Sequence, residues 1–125
     1  MTLTRLRTGA AAEDLVARRL GRRGWRIIER NARTRLGEID IVASDGPALV
    51  FVEVKAGRRG ARHGPERPVL AVGPRKQLRL RRLAAAWMAA SHDRISYREI
   101  RFDVVGVSFG DPEEAPRIEH LRGAF

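Results

Sequence analysis

Residues 37–55 read GEIDIVASDGPALVFVEVK, and the reading of this stretch decides the fold. Two runs of β-branched and apolar residues, 37–43 and 48–55, flank Ser44-Asp45-Gly46-Pro47, which carries turn chemistry. The pattern predicts an antiparallel hairpin. Side chains alternate faces along a strand. Leu49, Phe51, Glu53 and Lys55 therefore share one face, opposite Val50, Val52 and Val54. On the partner strand, Glu38, Asp40 and Val42 share a face, opposite Ile39 and Ile41. With the turn centred between Asp45 and Gly46, Asp40 opposes Phe51 and Glu38 opposes Glu53. Asp40 is then a diagonal neighbour of Glu53, near enough for a shared cation. A one-residue slip would put the two carboxylates on opposite faces.

Working outward, Thr8 is placed to cap a helix over 9–23 that Gly24 ends, and 25–30 reads as a short strand. Residues 56–68 (AGRRGARHGPERP) are rich in glycine, proline and arginine and read as a mobile basic loop. Pro74 suits the first turn of a helix reaching Ala90. Residues 97–107 read as a strand, 111–115 as a turn and 117–121 as a short edge strand. This order predicts one domain over 1–125, an α/β sandwich around a mixed sheet.

A chain of 125 residues suffices for one core without disulfides. It has no cysteine, which excludes a disulfide framework and a thiolate zinc site. His63, His92 and His120 lack metal-ligand spacing. There is no apolar leader and no apolar run near the roughly 20 residues of a membrane helix. The expectation is a cytoplasmic protein with no membrane partner. The net charge of +10 favours polyanions, nucleic acid above all. Of the 25 basic residues only Lys55 and Lys76 are lysine; the other 23 are arginine. Lysine can exchange its proton when buried, which arginine cannot.

On the first helix Glu13, Val16, Ala17 and Leu20 form one inward stripe, while neighbouring Asp14 points to solvent. A buried lone anion is costly, so Glu13 calls for a cation or a proton. On the second helix Lys76, Leu80, Leu83 and Trp87 form a stripe. Lys76 and Gln77 lie in its first turn, where free N–H groups and the dipole suit a phosphate. Glu13, Asp40 and Glu53 suit Mg²⁺ or Mn²⁺, and Lys55 beside them suits proton transfer or charge stabilisation. The plainer reading of Glu53 and Lys55 is a same-face ion pair. The arginines of the first helix read as a solvated face, and Trp25 and Trp87 as core.

Asp40 followed by Glu53-Val54-Lys55 resembles the PD-(D/E)xK motif, with Ile39 in place of the leading proline. More specifically, AEDLVARRLGRRGW, NARTRLGEIDIVA, LVFVEVK and RFDVV, in that order, resemble the bacterial YraN-type family (uncharacterised protein family 0102). That family is related by fold and motif to archaeal Holliday-junction resolvases. The resemblance covers residues 9–107 and implies a restriction-endonuclease-like α/β/α sandwich and a metal-dependent nuclease acting on DNA. It makes Asp40, Glu53 and Glu13 metal ligands, with the Val54 carbonyl as a further donor, and Lys55 the catalytic lysine. Lys76 and Gln77, with Arg58 and Arg59, would contact nucleic acid, and Asp103 would serve structure. Ala56-Gly57 before Arg58-Arg59 departs from family members in which a basic segment follows EVK closely. By analogy with resolvases, the expected assembly is a homodimer. The rival expectation is a non-catalytic module of the same fold that binds DNA or structured RNA.

Overall fold

The computed structural model describes residues 3–59, 69, 72–90 and 95–125, with side chains from residue 9 onward. The elements in chain order are α1 (Leu3–Arg22), β1 (Arg26–Thr34), β2 (Gly37–Asp45), β3 (Ala48–Arg58), α2 (Pro74–Ala89), β4 (Glu99–Phe109) and β5 (Arg117–Leu121). The strands form one sheet in sequence order. Only β3 and β4 run parallel, and α2 is their crossover. The sheet is therefore mixed, and a helix covers each face. This is the α/β/α sandwich expected, compatible with a restriction-endonuclease-like architecture.

The helix stripes explain the layers. Ala12, Val16, Ala17 and Leu20 of α1 are buried with Trp25 against Ile41, Ala43, Val50, Val52, Val105 and Val107. Leu80, Leu83, Ala84 and Trp87 of α2 are buried on the other face against Val42, Leu49, Phe51 and Phe102. α1 starts at Leu3, so Thr8 lies within the helix rather than at its cap. It ends as expected at Gly24, whose φ of 89° only glycine adopts freely. The N–H groups of Trp25 and Gly24 close on the carbonyls of Leu20 and Gly21, a Schellman closure with Trp25 packed back onto the core.

The hairpin register differs from the expectation. Asp45 pairs with Ala48, Val42 with Phe51 and Ile41 with Val52. The turn is centred between Gly46 and Pro47, because Gly46, at φ 57°, takes the first central position as a two-residue type II′ loop requires. The shift is two residues, so every side chain keeps its face. It places Asp40 level with Glu53 instead of Phe51.

The alternation of faces also breaks. Ile41 faces α1, but Ile39 joins the core under α2, so the two do not share a face as the strand period predicts. The break lies at Asp40. Across from it on β1, Asn31 has φ 50°, a left-handed conformation rare outside glycine and asparagine. That residue sits between the pairs Arg30–Ile41 and Ala32–Ile39. β3 also runs on to Arg58, so residues 56–58 are strand, paired with β4 through Arg58–Phe109, rather than loop. The rest of the expected loop, 60–68, lies outside the described residues, as do His63 and His92.

A charged cluster fastens β5 to β4 on the α1 side of the sheet. Asp103 is fully buried on the α1 side of β4. It accepts hydrogen bonds from Arg101 Nε (2.8 Å) and from the Gly123 N–H (3.0 Å), and meets His120 Nε2 at 2.8 Å. Burial alone would raise its pKa; the His120 and Arg101 contacts outweigh that and lower it. Its role is structural, tying β5 and the chain end to β4. Among the described residues no helix is long and apolar enough to cross a membrane.

Two glycines respond oppositely to added bulk. A Cβ on Gly106, beside Lys55 in the β3–β4 ladder, would stand 2.7 Å from the Val69 nitrogen. One on Gly21, inside α1, would meet nothing within 4 Å. Gly106→Ala is expected to destabilise the fold by about 1–3 kcal/mol, and Gly21→Ala to stabilise it by up to about 1 kcal/mol. Urea unfolding monitored by tryptophan fluorescence checks both signs.

Candidate active site

Three carboxylates meet where the β2–β3 ladder ends. The last ladder pair is Ile41–Val52. One step further, the Val54 N–H donates to Asp40 Oδ2 at 2.8 Å. A side chain has replaced a backbone acceptor, and the two strands part around it. Asp40 stands beside Glu13 of α1 and beside Glu53 of β3, close enough for each to shift its titration. The broken alternation at Asp40 accounts for this double reach, since its side chain lies between the two faces of the sheet.

Glu53 is only 9% exposed. Its Oε1 receives Lys76 Nζ at 3.1 Å and Lys55 Nζ at 3.4 Å. The two ammonium groups also contact each other. Both lysines of the chain thus converge on one carboxylate oxygen, Lys55 from the strand and Lys76 from the first turn of α2. Sequence reasoning put Lys76 near the cluster but did not identify its partner.

The electrostatics follow from this crowding. Burial, then the Glu53 charge, push the Asp40 carboxyl up to about 7, and the Val54 hydrogen bond only partly opposes them. Burial also raises Glu13, against its contact with Asp40 and the charge of Arg30. Arg30 is held by Asp14 at 2.6 Å, so Asp14 is ion-paired rather than simply solvated. Burial and the neighbouring Lys76 ammonium lower the Lys55 pKa, despite the attraction of Glu53. Burial works against the charge on Lys76 too, but the contacts with Lys55 and Glu53 prevail and raise its pKa. Of the two lysines, Lys55 releases its proton first.

A cleft of about 480 Å³ opens over the cluster, lined by Glu38, Asp40, Glu53, Arg75, Lys76 and Arg79 with Leu80 and Leu83 beneath. That volume lies in the range of small-ligand sites. Glu38 does not oppose Glu53. It sits at the rim, paired with Arg33 at 3.1 Å. Arg75 and Arg79 were not singled out from sequence, although Arg79 follows Lys76 by three residues and so shares its helix face. Among the described residues neither meets an acidic partner, and both line the cleft.

The other sequence candidates lie elsewhere. Gln77 turns back, its Nε2 donating to the Val72 carbonyl at 3.1 Å, and braces the chain entering α2. Arg58 and Arg59 line a separate depression with Phe109, Asp111 and Glu114. Arg59 is engaged there by Glu114 at 2.6 Å and by the Ala115 carbonyl.

Among the described residues no three His, Asp or Glu side chains are arranged to hold a metal ion. What the site offers is the Asp40–Glu53 pair, with Glu13 beside Asp40. Mg²⁺ is commonly bound through one or two carboxylates, with water and substrate phosphate completing its shell. The pair fits that donor set.

The chain belongs to the uncharacterised protein family UPF0102, whose model matches residues 12–107. That span includes Glu13, Asp40, Glu53, Lys55 and Lys76. A UPF0102 protein of Anaeromyxobacter dehalogenans is 49% identical over 117 residues, 94% of this chain and 82% of the relative. One from Rhodococcus opacus is 48% identical over 120 residues, 96% of this chain and 97% of the relative. One from Moorella thermoacetica is 44% identical over 125 residues, spanning both chains entirely.

Asp40 sets a pH dependence of stability. Its folded-state pKa of about 7 exceeds the ordinary value of 3.8. Between these values the folded protein holds a proton that the unfolded chain releases, so stability falls as pH rises through the window and is flat above it. Discounted for partial solvent screening, the loss is about 1–2 kcal/mol. Asp40→Asn keeps an oxygen for the Val54 N–H and has no acidic proton to lose. In metal-free buffer it is expected to melt a few degrees above wild type at pH 8, and level with it near pH 4. Thermal denaturation across pH checks this.

Proposed function

We propose that this chain is a nuclease of the PD-(D/E)xK type, akin to resolvases, which hydrolyses DNA phosphodiester bonds in the cytoplasm with Mg²⁺ or Mn²⁺. The observation that carries the reading is the convergence of Asp40, Glu53 and Lys55 at one point beneath a cleft to which α2 brings Arg75, Lys76 and Arg79. Asp40 and Glu53 would hold the ion, which supplies Lewis-acid stabilisation of phosphate charge and acidifies a bound water.

The rest is the work of the chain's own groups. Lys55, its pKa lowered by burial, sits where it can orient a water or accept its proton. Glu53 fixes the Lys55 ammonium, and the β3–β4 ladder fixes Glu53. Glu13 positions Asp40 from behind. Arg75 and Arg79 line the cleft, where their forked donors suit phosphate oxygens.

The rival is a module of the same fold that binds nucleic acid without cutting it. One observation favours it: both lysines already neutralise Glu53 without any metal. The two readings diverge on Asp40→Ala, which a pure binder tolerates, or which even strengthens its grip.

The deciding assay incubates linear, nicked, flapped and four-way-junction DNA with the protein in Mg²⁺ or Mn²⁺. Wild type is expected to cut, with Glu53→Ala and Lys55→Ala each slower by at least about 10²-fold. Arg79→Ala is expected to weaken DNA binding while leaving metal binding in place. Binding without cutting, unchanged in the Glu53 and Lys55 variants, would replace the nuclease with the non-catalytic module.

A further inference from the structure

The Glu53 oxygen that would meet a metal ion already carries two ammonium groups. Lys76 Nζ lies 3.1 Å and Lys55 Nζ 3.4 Å from the same Oε1. A divalent cation cannot join this oxygen without strong repulsion unless one ammonium withdraws. The two lysines are not equally able to do so. Lys55 projects from the strand that carries Glu53, and its side chain is 23% exposed. Lys76 projects from α2, is 38% exposed and lines the cleft between Arg75 and Arg79. Its flexible four-carbon stem can carry the charge outward, toward the place where those two arginines would hold a phosphate.

We infer that Lys76 is an exchangeable counter-ion, neutralising Glu53 while the cation is absent and transferring to a phosphate oxygen of the bound polyanion when the cation arrives. The inference rests on the metal-dependent reading above and adds a coupling to it. Cation entry frees a positive charge for the polyanion, and a bound polyanion draws Lys76 off Glu53. Each ligand therefore raises the affinity of the other by the same factor. Lys76 does not act on the scissile bond in this role. It couples the binding of the two ligands, and in their absence it neutralises a buried carboxylate.

The test is calorimetric titration of Mn²⁺ into wild type, Lys76→Gln, Lys76→Arg and Asp40→Asn, each alone and with a phosphorothioate DNA duplex that resists cleavage. Circular dichroism confirms that the variants are folded. Without DNA, Lys76→Gln is expected to bind Mn²⁺ about tenfold more tightly than wild type, and Lys76→Arg no more tightly than wild type. The duplex is expected to tighten Mn²⁺ binding about tenfold in wild type and to leave it nearly unchanged in Lys76→Gln. If Lys76→Gln binds Mn²⁺ equally or more weakly than wild type, while Asp40→Asn loses binding, the metal site stands and the exchange is overturned. If neither wild type nor Lys76→Gln binds Mn²⁺, the metal-dependent reading falls and the exchange falls with it.

Discussion

The hydrogen bond from the Val54 N–H to Asp40 Oδ2 is the constraint on which the site depends. An unpaired backbone N–H inside a sheet costs as much as a lost hydrogen bond, so the ladder can end only if something takes that group. Asp40 takes it, and β2 and β3 part without leaving an orphan donor. The parting opens the cleft and exposes Glu53 to α2 on one side and to the reach of Glu13 on the other. Left-handed Asn31 across the sheet and the turn of Ile39 toward α2 are the local deformations that let Asp40 stand there. Such a backbone outlier costs of order 1–3 kcal/mol, and the packed layers on both sides hold it in place.

Charge is the second organising fact. Three neighbouring carboxylates repel, and the fold meets this with raised pKa values on Asp40 and Glu13 and with two ammoniums on Glu53. The balance is met locally and specifically. Arg30 and Arg33 are held in other pairs, while Arg75 and Arg79 line the cleft without contacting Glu53. On the other face of the sheet the buried Asp103 is also surrounded by cations and donors, but there every oxygen is engaged and its pKa is lowered. One acid is built into the frame, and the other is kept ready for exchange.

The elements were legible because hydrophobic period and turn residues act locally. Both helices, the hairpin, Gly24 as a helix end and Pro74 as a helix start emerge from short windows of sequence. The gathering of Glu13, Asp40, Glu53 and Lys55 was also readable, since face alternation and helix stripes bring them together once the layers are assumed. The register was not, because Asp45-Gly46 and Gly46-Pro47 are both credible turn centres until the φ of Gly46 is known. The break in alternation at Asp40 was likewise hidden, since it arises from a side chain capturing a backbone N–H across strands. Arg75, Arg79 and the Glu53 partner of Lys76 depend on how α2 lies over the sheet, a tertiary relation that no local window contains. Gln77 shared the helix turn of Lys76 but faces the other way.

The scarcity of lysine gives the site a chemical address. Apart from the α-amino group, Lys55 and Lys76 are the only aliphatic amines in the chain, and both lie against Glu53. A reagent that acylates or reductively alkylates amines is, for this protein, directed at the cleft. Acetylation of either nitrogen would erase one positive charge and one donor from Glu53 while leaving the arginine surface intact. Chemistry that is scattered over the surface of most proteins is here concentrated on a single carboxylate.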